Sequence, residues 1–312
     1  MELYEGFDGI DHPLTKSVVT IGNFDGVHKG HQVLLASAVT KAEEIGGISV
    51  AITFEPHPKR VLCKEADPPP QITIYEQKRE LIEACGIDVL VTVRFTKEFA
   101  AIEAREFVAD LLVGKLGMKA FIVGGDYHFG RKREGDIDLM RQFAEEMGFE
   151  VFSPQWVTVG EKRISSTRIR EVIKRGDVHR APEFLGRFYQ VRGEVVAGRA
   201  RGGKLLGFPT ANIQLSDELC PATGVYAVSV ASAQGQFEGV ANIGYSPTFD
   251  DHEFTVEVHL LDFSGDLYGE EIKVNMIQKL RDEKKFSGIE ELSQQIATDV
   301  INARKLFEVL KR

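Results

Sequence analysis

From residue 18 the chain alternates short apolar runs with stretches of helical periodicity. Residues 18–21, 49–54, 89–94, 120–123 and 151–152 read as strands. Between them Leu34, Leu35, Ala38, Ala42 and Ile45 keep the spacing of one helix face, and residues 103–116 and 136–147 do the same. Strand–helix alternation of this kind predicts a parallel sheet with helices on both faces and ligands at the carboxyl ends of its strands. The pattern changes after about Arg187. Residues 189–196, 225–231, 237–243, 254–261 and 272–277 are rich in β-formers and separated by turn signals, which predicts a small antiparallel barrel. In the cleanest run, Phe254, Val256, Val258 and Leu260 alternate with Thr255, Glu257 and His259, so the glutamate and histidine share the polar face. A last helix carries Ile289, Leu292, Ile296, Val300 and Phe307 on one stripe. Pro182 and its polar neighbours interrupt the helical pattern near 176–187. The expected domains are therefore 1–183, a parallel α/β domain, and 184–312, an antiparallel β-barrel with a C-terminal helix.

Composition narrows the function without choosing it. Of 312 residues, 43% are hydrophobic and 27% charged, and the net charge is -9, with both halves acidic. That balance argues against general nucleic-acid binding. Cys63, Cys85 and Cys220 form no CxxC pair, which fits reduced thiols and a cytoplasmic protein. Met1-Glu2-Leu3-Tyr4-Glu5 lacks the apolar core of a signal peptide, and no stretch reaches membrane-spanning length, so no membrane association is expected. No coiled-coil or interface pattern gives an oligomeric state.

Chemistry enters at the end of the first strand. There Gly22-Asn23-Phe24-Asp25-Gly26-Val27-His28-Lys29-Gly30-His31 leads into the first helix. A glycine-rich turn between a strand and a helix directs backbone N–H groups and the positive end of the helix dipole at one anion. His28 and His31 add donors suited to a polyphosphate. They also make half of a zinc site, which no cysteine or histidine cluster completes. Two further segments are candidates to converge there: Thr53-Phe54-Glu55-Pro56-His57-Pro58 at a strand end, and Ile164-Ser165-Ser166-Thr167-Arg168-Ile169-Arg170, where hydroxyls precede a fixed positive charge.

The second half offers another set. Residues 193–207 hold five glycines, Gly198 among them, interspersed with Arg199, Arg201 and Lys204, and lead into Phe208-Pro209-Thr210-Ala211-Asn212. Glycines admit phosphates close to backbone. Thr210 and Asn212, two apart in an extended segment, present neutral oxygens to one side, an arrangement for Mg²⁺ that keeps waters and substrate phosphates. Glu257 is placed to accept a proton from an attacking hydroxyl.

His28-Lys29-Gly30-His31 resembles the histidine-x-glycine-histidine signature of nucleotidylyltransferases, and 164–170 resembles their serine-containing phosphate motif. The longer string 22–31, with 54–58 and Gly124-Gly125-Asp126-Tyr127-His128-Phe129-Gly130, is similar to the adenylyltransferase half of bacterial bifunctional riboflavin kinase/FAD synthetases. Residues 207–212, 224–226, 242–249 and 267–269 resemble the riboflavin kinase half. The resemblance implies a Rossmann-like nucleotidylyltransferase domain before a riboflavin kinase barrel. ATP, riboflavin and FMN would be the substrates and Mg²⁺ the cofactor. It implies that His28 and His31 act on ATP phosphates, with Gly22, Asn23, Gly30 and Ser165–Arg168 around them and Gly198 and Lys204 serving the second ATP. His57, Asp126 and Phe129 would lie near one flavin, Arg281 and Phe286 near the other, and Glu257 would be the kinase base. One departure stands out: Lys204 occupies a position where many relatives have arginine, which keeps charge but loses a bidentate contact. Two other readings share parts of this pattern. One is a nucleotidylyltransferase of another class with a flavin-sensing barrel, against which Thr210, Asn212 and Glu257 argue. The other is a tRNA-charging enzyme with the short histidine signature, against which the acidic balance argues.

Overall fold

The computed structural model describes residues 1–62, 69–196, 208–215, 218–245 and 254–311. They form two compact units: Met1–Pro70 with Ile74–Ser165, and Gln71–Thr73 with Ser166–Arg312.

The first unit runs β1 (Glu2–Glu5), β2 (Ser17–Ile21), α1 (Lys29–Ile45), β3 (Ile48–Glu55), α2 (Pro58–Leu62), α3 (Tyr75–Ala84), β4 (Val89–Arg94), α4 (Ala104–Glu106), a π-helix (Phe107–Lys115), β5 (Met118–Ile122), α5 (Ile137–Met147) and β6 (Glu150–Phe152). A two-stranded hairpin, β7 (Thr158–Val159) and β8 (Lys162–Arg163), follows. The six-stranded sheet has the order β1-β4-β3-β2-β5-β6 and every pair is parallel. Parallel strands covered on both faces must be apolar on both, and consecutive residues here divide between two layers. Val18, Ala51, Leu90 and Ala120 pack with Leu35, Ala38 and Ala42 of α1 and Ile82 of α3. Val19, Val50, Val91 and Phe121 pack with Phe107, Val108 and Leu112 of the π-helix and Met140 and Phe143 of α5. Each fully buried Leu or Phe contributes about 1.5–3 kcal/mol.

This topology positions the site. The chain steps from β2 through β3 to β4 on one side, then returns to lay β5 and β6 on the other. Such a reversal opens a crevice at the carboxyl ends of β2 and β5. Residues 22–28 emerge from β2 at that point.

The second unit contains α6 (Ser166–Lys174), α7 (Ala181–Leu185), β9 (Tyr189–Val196), β10 (Ala211–Gln214), β11 (Gly224–Ser232), β12 (Gly235–Tyr245), β13 (Phe254–Leu260), β14 (Glu271–Arg281) and α8 (Ile289–Leu310). Its six strands close into an antiparallel barrel, β10-β13-β12-β11-β14-β9, with β9 pairing back to β10. Helix α8 lays Ala303 and Phe307, with Val300 and Leu306, on Val225, Ala227, Val240, Leu261 and Ile277. Ile289, expected on that stripe, is 68% exposed because it is the first residue of the helix and lies outside this contact. Among the described residues, no helix is long and apolar enough to cross a membrane.

Candidate active sites

The cradle in the first unit is built from an unusual backbone. Phe24 (φ 46°), Gly26 (φ 85°) and Val27 (φ 35°) all have positive φ. For a β-branched residue that conformation is costly, and it survives only where the surroundings enforce it. They do: the Val27 N–H donates to the Phe24 carbonyl at 2.9 Å and the Gln32 carboxamide to the Val27 carbonyl at 2.8 Å. From β3, the Thr53 hydroxyl donates to the Asn23 carbonyl at 3.3 Å. A turn of this kind aims successive N–H groups into one concavity. Asn23 Oδ1, in the same turn, is buried and without a hydrogen-bond partner among the described residues.

His28 is the N-cap of α1; its Nδ1 accepts from the His31 N–H at 3.2 Å. That bond fixes the tautomer, leaving Nε2 to carry any proton. The two imidazoles stack with centroids 3.6 Å apart at 15°, and Phe24 meets His31 edge-on at 5.4 Å. Gly30 makes this possible, since a Cβ there would press on the His28 ring at 3.1 Å. Burial, reinforced by His28, Lys78 and Arg163, holds His31 well below the usual imidazole range, so it is neutral at neutral pH. Its Nδ1 is buried and without a hydrogen-bond partner among the described residues.

Lys78, which sequence reading passed over, lies close by. It is 4% exposed and its Nζ is 3.7 Å from Glu55 Oε2 at the end of β3. Burial lowers its pKa, opposed by Glu55 and by Asp25 of the cradle. The signal was its place at core spacing, Ile74-x₃-Lys78-x₃-Ile82.

The residues expected near the first flavin divide. Asp126 is exposed and pairs with Arg163 at 2.9 Å. The Arg163 guanidinium lies 3.1 Å over the centre of Trp156, and a Cβ at Gly124 would meet the Trp156 ring at 2.9 Å. Asp126, Arg163 and Trp156 are thus linked in one cluster against Gly124; neither Arg163 nor Trp156 belongs to a motif that sequence alone singled out. Phe129 is buried, stacked on Tyr127 at 5.6 Å and against Phe107 at 6.2 Å. His57 Nδ1 accepts from the Lys59 N–H at 3.1 Å and so shapes the start of α2 after the cis Glu55–Pro56 bond. Ser165 closes the first unit, while Ser166, Thr167 and Arg168 open α6 in the second, where Arg168 lies 5.0 Å from the centre of Phe184.

In the barrel, register assembles the site. Asn212 of β10 is directly opposite Glu257 of β13, Glu257 is opposite Asn242 of β12, Asn242 is opposite Val225 of β11, and Val225 is opposite Arg281 of β14. Directly opposed residues share a face, so one row carries a carboxylate, two carboxamides and a guanidinium across five strands. The row lies on the outer face and at Val225 runs into the strip that α8 covers. Glu257 is half-buried, and burial raises its pKa, which makes it a stronger base than a solvated carboxylate. His259, on the same face, hydrogen-bonds from Nδ1 to the Pro209 carbonyl at 2.9 Å and packs on Phe208 at 5.3 Å. It tethers the strand entry that carries Thr210 and Asn212.

Thr210 and Asn212 are half-buried, and their two neutral oxygens at the start of β10 fit an ion that fills its shell with phosphates and water. No group of three or more His, Cys, Asp or Glu suited to a metal occurs among the described residues. Gly198 and Lys204 lie outside the described residues, as does the stretch 246–249.

Arg281 and Phe286 adjoin each other, the guanidinium 5.7 Å from the ring centre. Arg281 also holds Asp299, a buried carboxylate in α8 that periodicity concealed because it is polar on an apolar face.

Comparison with known proteins adds an independent line. The family model described as FAD synthetase matches residues 10–168, and the one described as riboflavin kinase matches 185–307. A bifunctional riboflavin kinase/FMN adenylyltransferase of Escherichia coli (strain K12) is 39% identical over 313 residues, covering 100% of this chain and 99% of the relative. One from Bacillus subtilis (strain 168) is 37% identical, covering 95% of this chain and 94% of the relative. A crystal structure from Streptococcus pneumoniae, described as a macrolide-efflux protein, superposes with a TM-score of 0.88 at 33% identity, covering 97% of this chain and 98% of the other.

Proposed function

Because the chain belongs to the bifunctional riboflavin kinase/FMN adenylyltransferase family, we propose that its two sites act in sequence on one flavin. In the barrel, the 5′-hydroxyl of riboflavin attacks the γ-phosphorus of ATP. The hydroxyl proton passes to Glu257, the bond to the bridging oxygen breaks, and ADP leaves with FMN formed. Thr210 and Asn212 would hold Mg²⁺, which when bound offsets charge on the transferring phosphoryl group. Gly198 and Lys204 would face the ATP phosphates.

In the first unit, the FMN phosphate attacks the α-phosphorus of a second ATP and pyrophosphate leaves, giving FAD. The attacking oxygen is already anionic, so the protein needs no nucleophile or base there. Its part is positioning and charge stabilisation. His28, through Nε2, and His31 donate to the transferring and leaving phosphates, with the 22–27 turn and Asn23 beneath them. Ser165, Ser166, Thr167 and Arg168 are assigned to the same phosphates on their motif. Asp126, Phe129 and His57 are assigned to the flavin side. Sparse cysteines agree with work in a reducing cytoplasm.

The observation that carries this reading is Glu257, half-buried with its pKa raised, directly opposite Asn212. A base beside a phosphate-binding strand entry serves hydroxyl phosphorylation and has no use in a flavin sensor. The test is a time course of purified protein with riboflavin, ATP and Mg²⁺. FMN followed by FAD is expected; flavin binding without turnover would instead support the sensor.

A further inference from the structure

Asp299 is 2% exposed in the middle of α8. A buried carboxylate is tolerated only with a full set of donors. It has them: Arg281 Nε reaches both of its oxygens at 3.0 Å, Arg281 Nη2 donates at 2.8 Å, and the Gln295 carboxamide donates at 3.0 Å. Arg281 Nη1 donates to the Asp282 carbonyl at 3.0 Å. The guanidinium is thus held along its side edge and at one end, and its plane is fixed.

A simple staple between helix and barrel is the plainer explanation, but that task is met elsewhere. Phe307 and Ala303 bury the helix on the barrel, and Arg304 pairs with Asp262 through two bonds of 2.7 and 2.8 Å. The connecting loop is tied by Lys279 to Asp282 and by Glu291 to Lys284 and Ser287. An apolar pair at 281 and 299 would staple as well, at no desolvation cost. What an ion pair supplies and an apolar pair does not is an oriented planar cation.

The row described above shows what that cation faces. Arg281 lies in register with Glu257, three strands away, about 14 Å along the outer face of the barrel. The loop after Arg281 lies beside that row, over the next outward position of β12: Gly244, opposite Thr255, lacks the Cβ that would run into the Glu283 carboxylate. A substrate whose reacting hydroxyl hangs by a short chain from a large planar ring spans that distance. An anion would gain little at Arg281, whose charge and side edge are taken up by Asp299. A flat ring gains a cation–π face, the contact Phe286 already makes in part.

We propose that Asp299 is a positioning residue of the kinase site, which fixes the guanidinium plane of Arg281 for stacking on the ring of the flavin. The proposal rests on the kinase reading above. Its test uses the full chain, with riboflavin phosphorylation and adenylylation of supplied FMN measured in parallel and riboflavin binding followed by its visible absorbance. Asp299→Asn should raise KM for riboflavin about tenfold, leave KM for ATP within about twofold, and diminish the absorbance shift on binding. Arg281→Lys preserves both charges of the pair but not the plane. It should keep Tm near wild type and still raise KM for riboflavin. Adenylylation of FMN should be unchanged in both. Arg281→Lys behaving like wild type would overturn the proposal, as would Asp299→Asn raising both KM values equally. Should Asp299→Asn fail to fold, Arg281→Lys decides alone. Wild-type protein that phosphorylates no riboflavin would mark failure of the kinase reading itself, before any variant is compared.

Discussion

The two units bring their polar groups together by opposite means. In the first, nearly everything at the phosphate cradle comes from ten consecutive residues, 22–31, bent by positive φ at Phe24, Gly26 and Val27. In the second, Asn212, Glu257, Asn242 and Arg281 come from four separate strands and meet only through barrel register. A local site is written in the sequence as a motif, whereas a site made by register is written as isolated polar residues on alternating strands. The difference extends to the chemistry. On the proposed reading the cradle offers donors to an anion and needs no base, while the barrel offers as its base Glu257, a carboxylate whose pKa burial raises.

The sharpest way to break that comparison is to remove the base. Glu257→Gln should lower kcat for riboflavin phosphorylation by about 10²–10⁴, with adenylylation of supplied FMN unchanged in the same preparation. Next in size, His28→Ala removes a phosphate donor and should slow adenylylation by about 10²–10³, leaving riboflavin phosphorylation intact. Loss of both activities from either change, in folded protein, would contradict separate sites. A smaller effect is expected from Gly30→Ala, which pushes a methyl group against the His28 ring. It should cost adenylylation about tenfold, roughly 1.4 kcal/mol, and steady-state rates with FMN would reveal it.

The gentlest test is pH. Glu257 must be ionised to accept a proton and its pKa is raised, so the acid limb of kinase kcat/KM should fall at higher pH than an ordinary carboxylate and vanish in Glu257→Gln. His31 has the opposite displacement. Its folded pKa lies below the unfolded value of 6.5, so the folded state binds fewer protons there. Stability from this group is complete above that value and is lost as pH falls through it. Thermal melts of the wild type should therefore weaken below about pH 6.5, and less steeply in His31→Gln.

How far the sequence was legible follows from the same contrast. Strand–helix alternation located β2 to β6, and turn-punctuated runs located β9 and β11 to β14, because both periodicities are local. β1 was invisible: Glu2-Leu3-Tyr4-Glu5 becomes a strand only by pairing with β4, some 85 residues on. α3 escaped because its inward positions include Gln77 and Lys78 in place of apolar residues, and a helix that faces buried charge has little hydrophobic stripe to read. Asp299 was hidden for the same reason. The expected stripe of α8 named Ile289, which is exposed, and missed Asp299, which is almost wholly buried. Phe129 reads as a flavin contact by motif, whereas in the structure its ring is buried against Phe107 and Tyr127.

Most direct is a mixing experiment. Glu257→Gln and His28→Ala proteins are incubated separately and together with riboflavin, ATP and Mg²⁺, and flavins are resolved over time. Over the time in which wild type completes conversion, the account predicts almost no FMN or FAD from Glu257→Gln alone, FMN with almost no FAD from His28→Ala, and FAD after a lag when both are present. FAD from either variant alone at close to the wild-type rate, or a mixture that accumulates FMN and does not convert it, would contradict two separable sites.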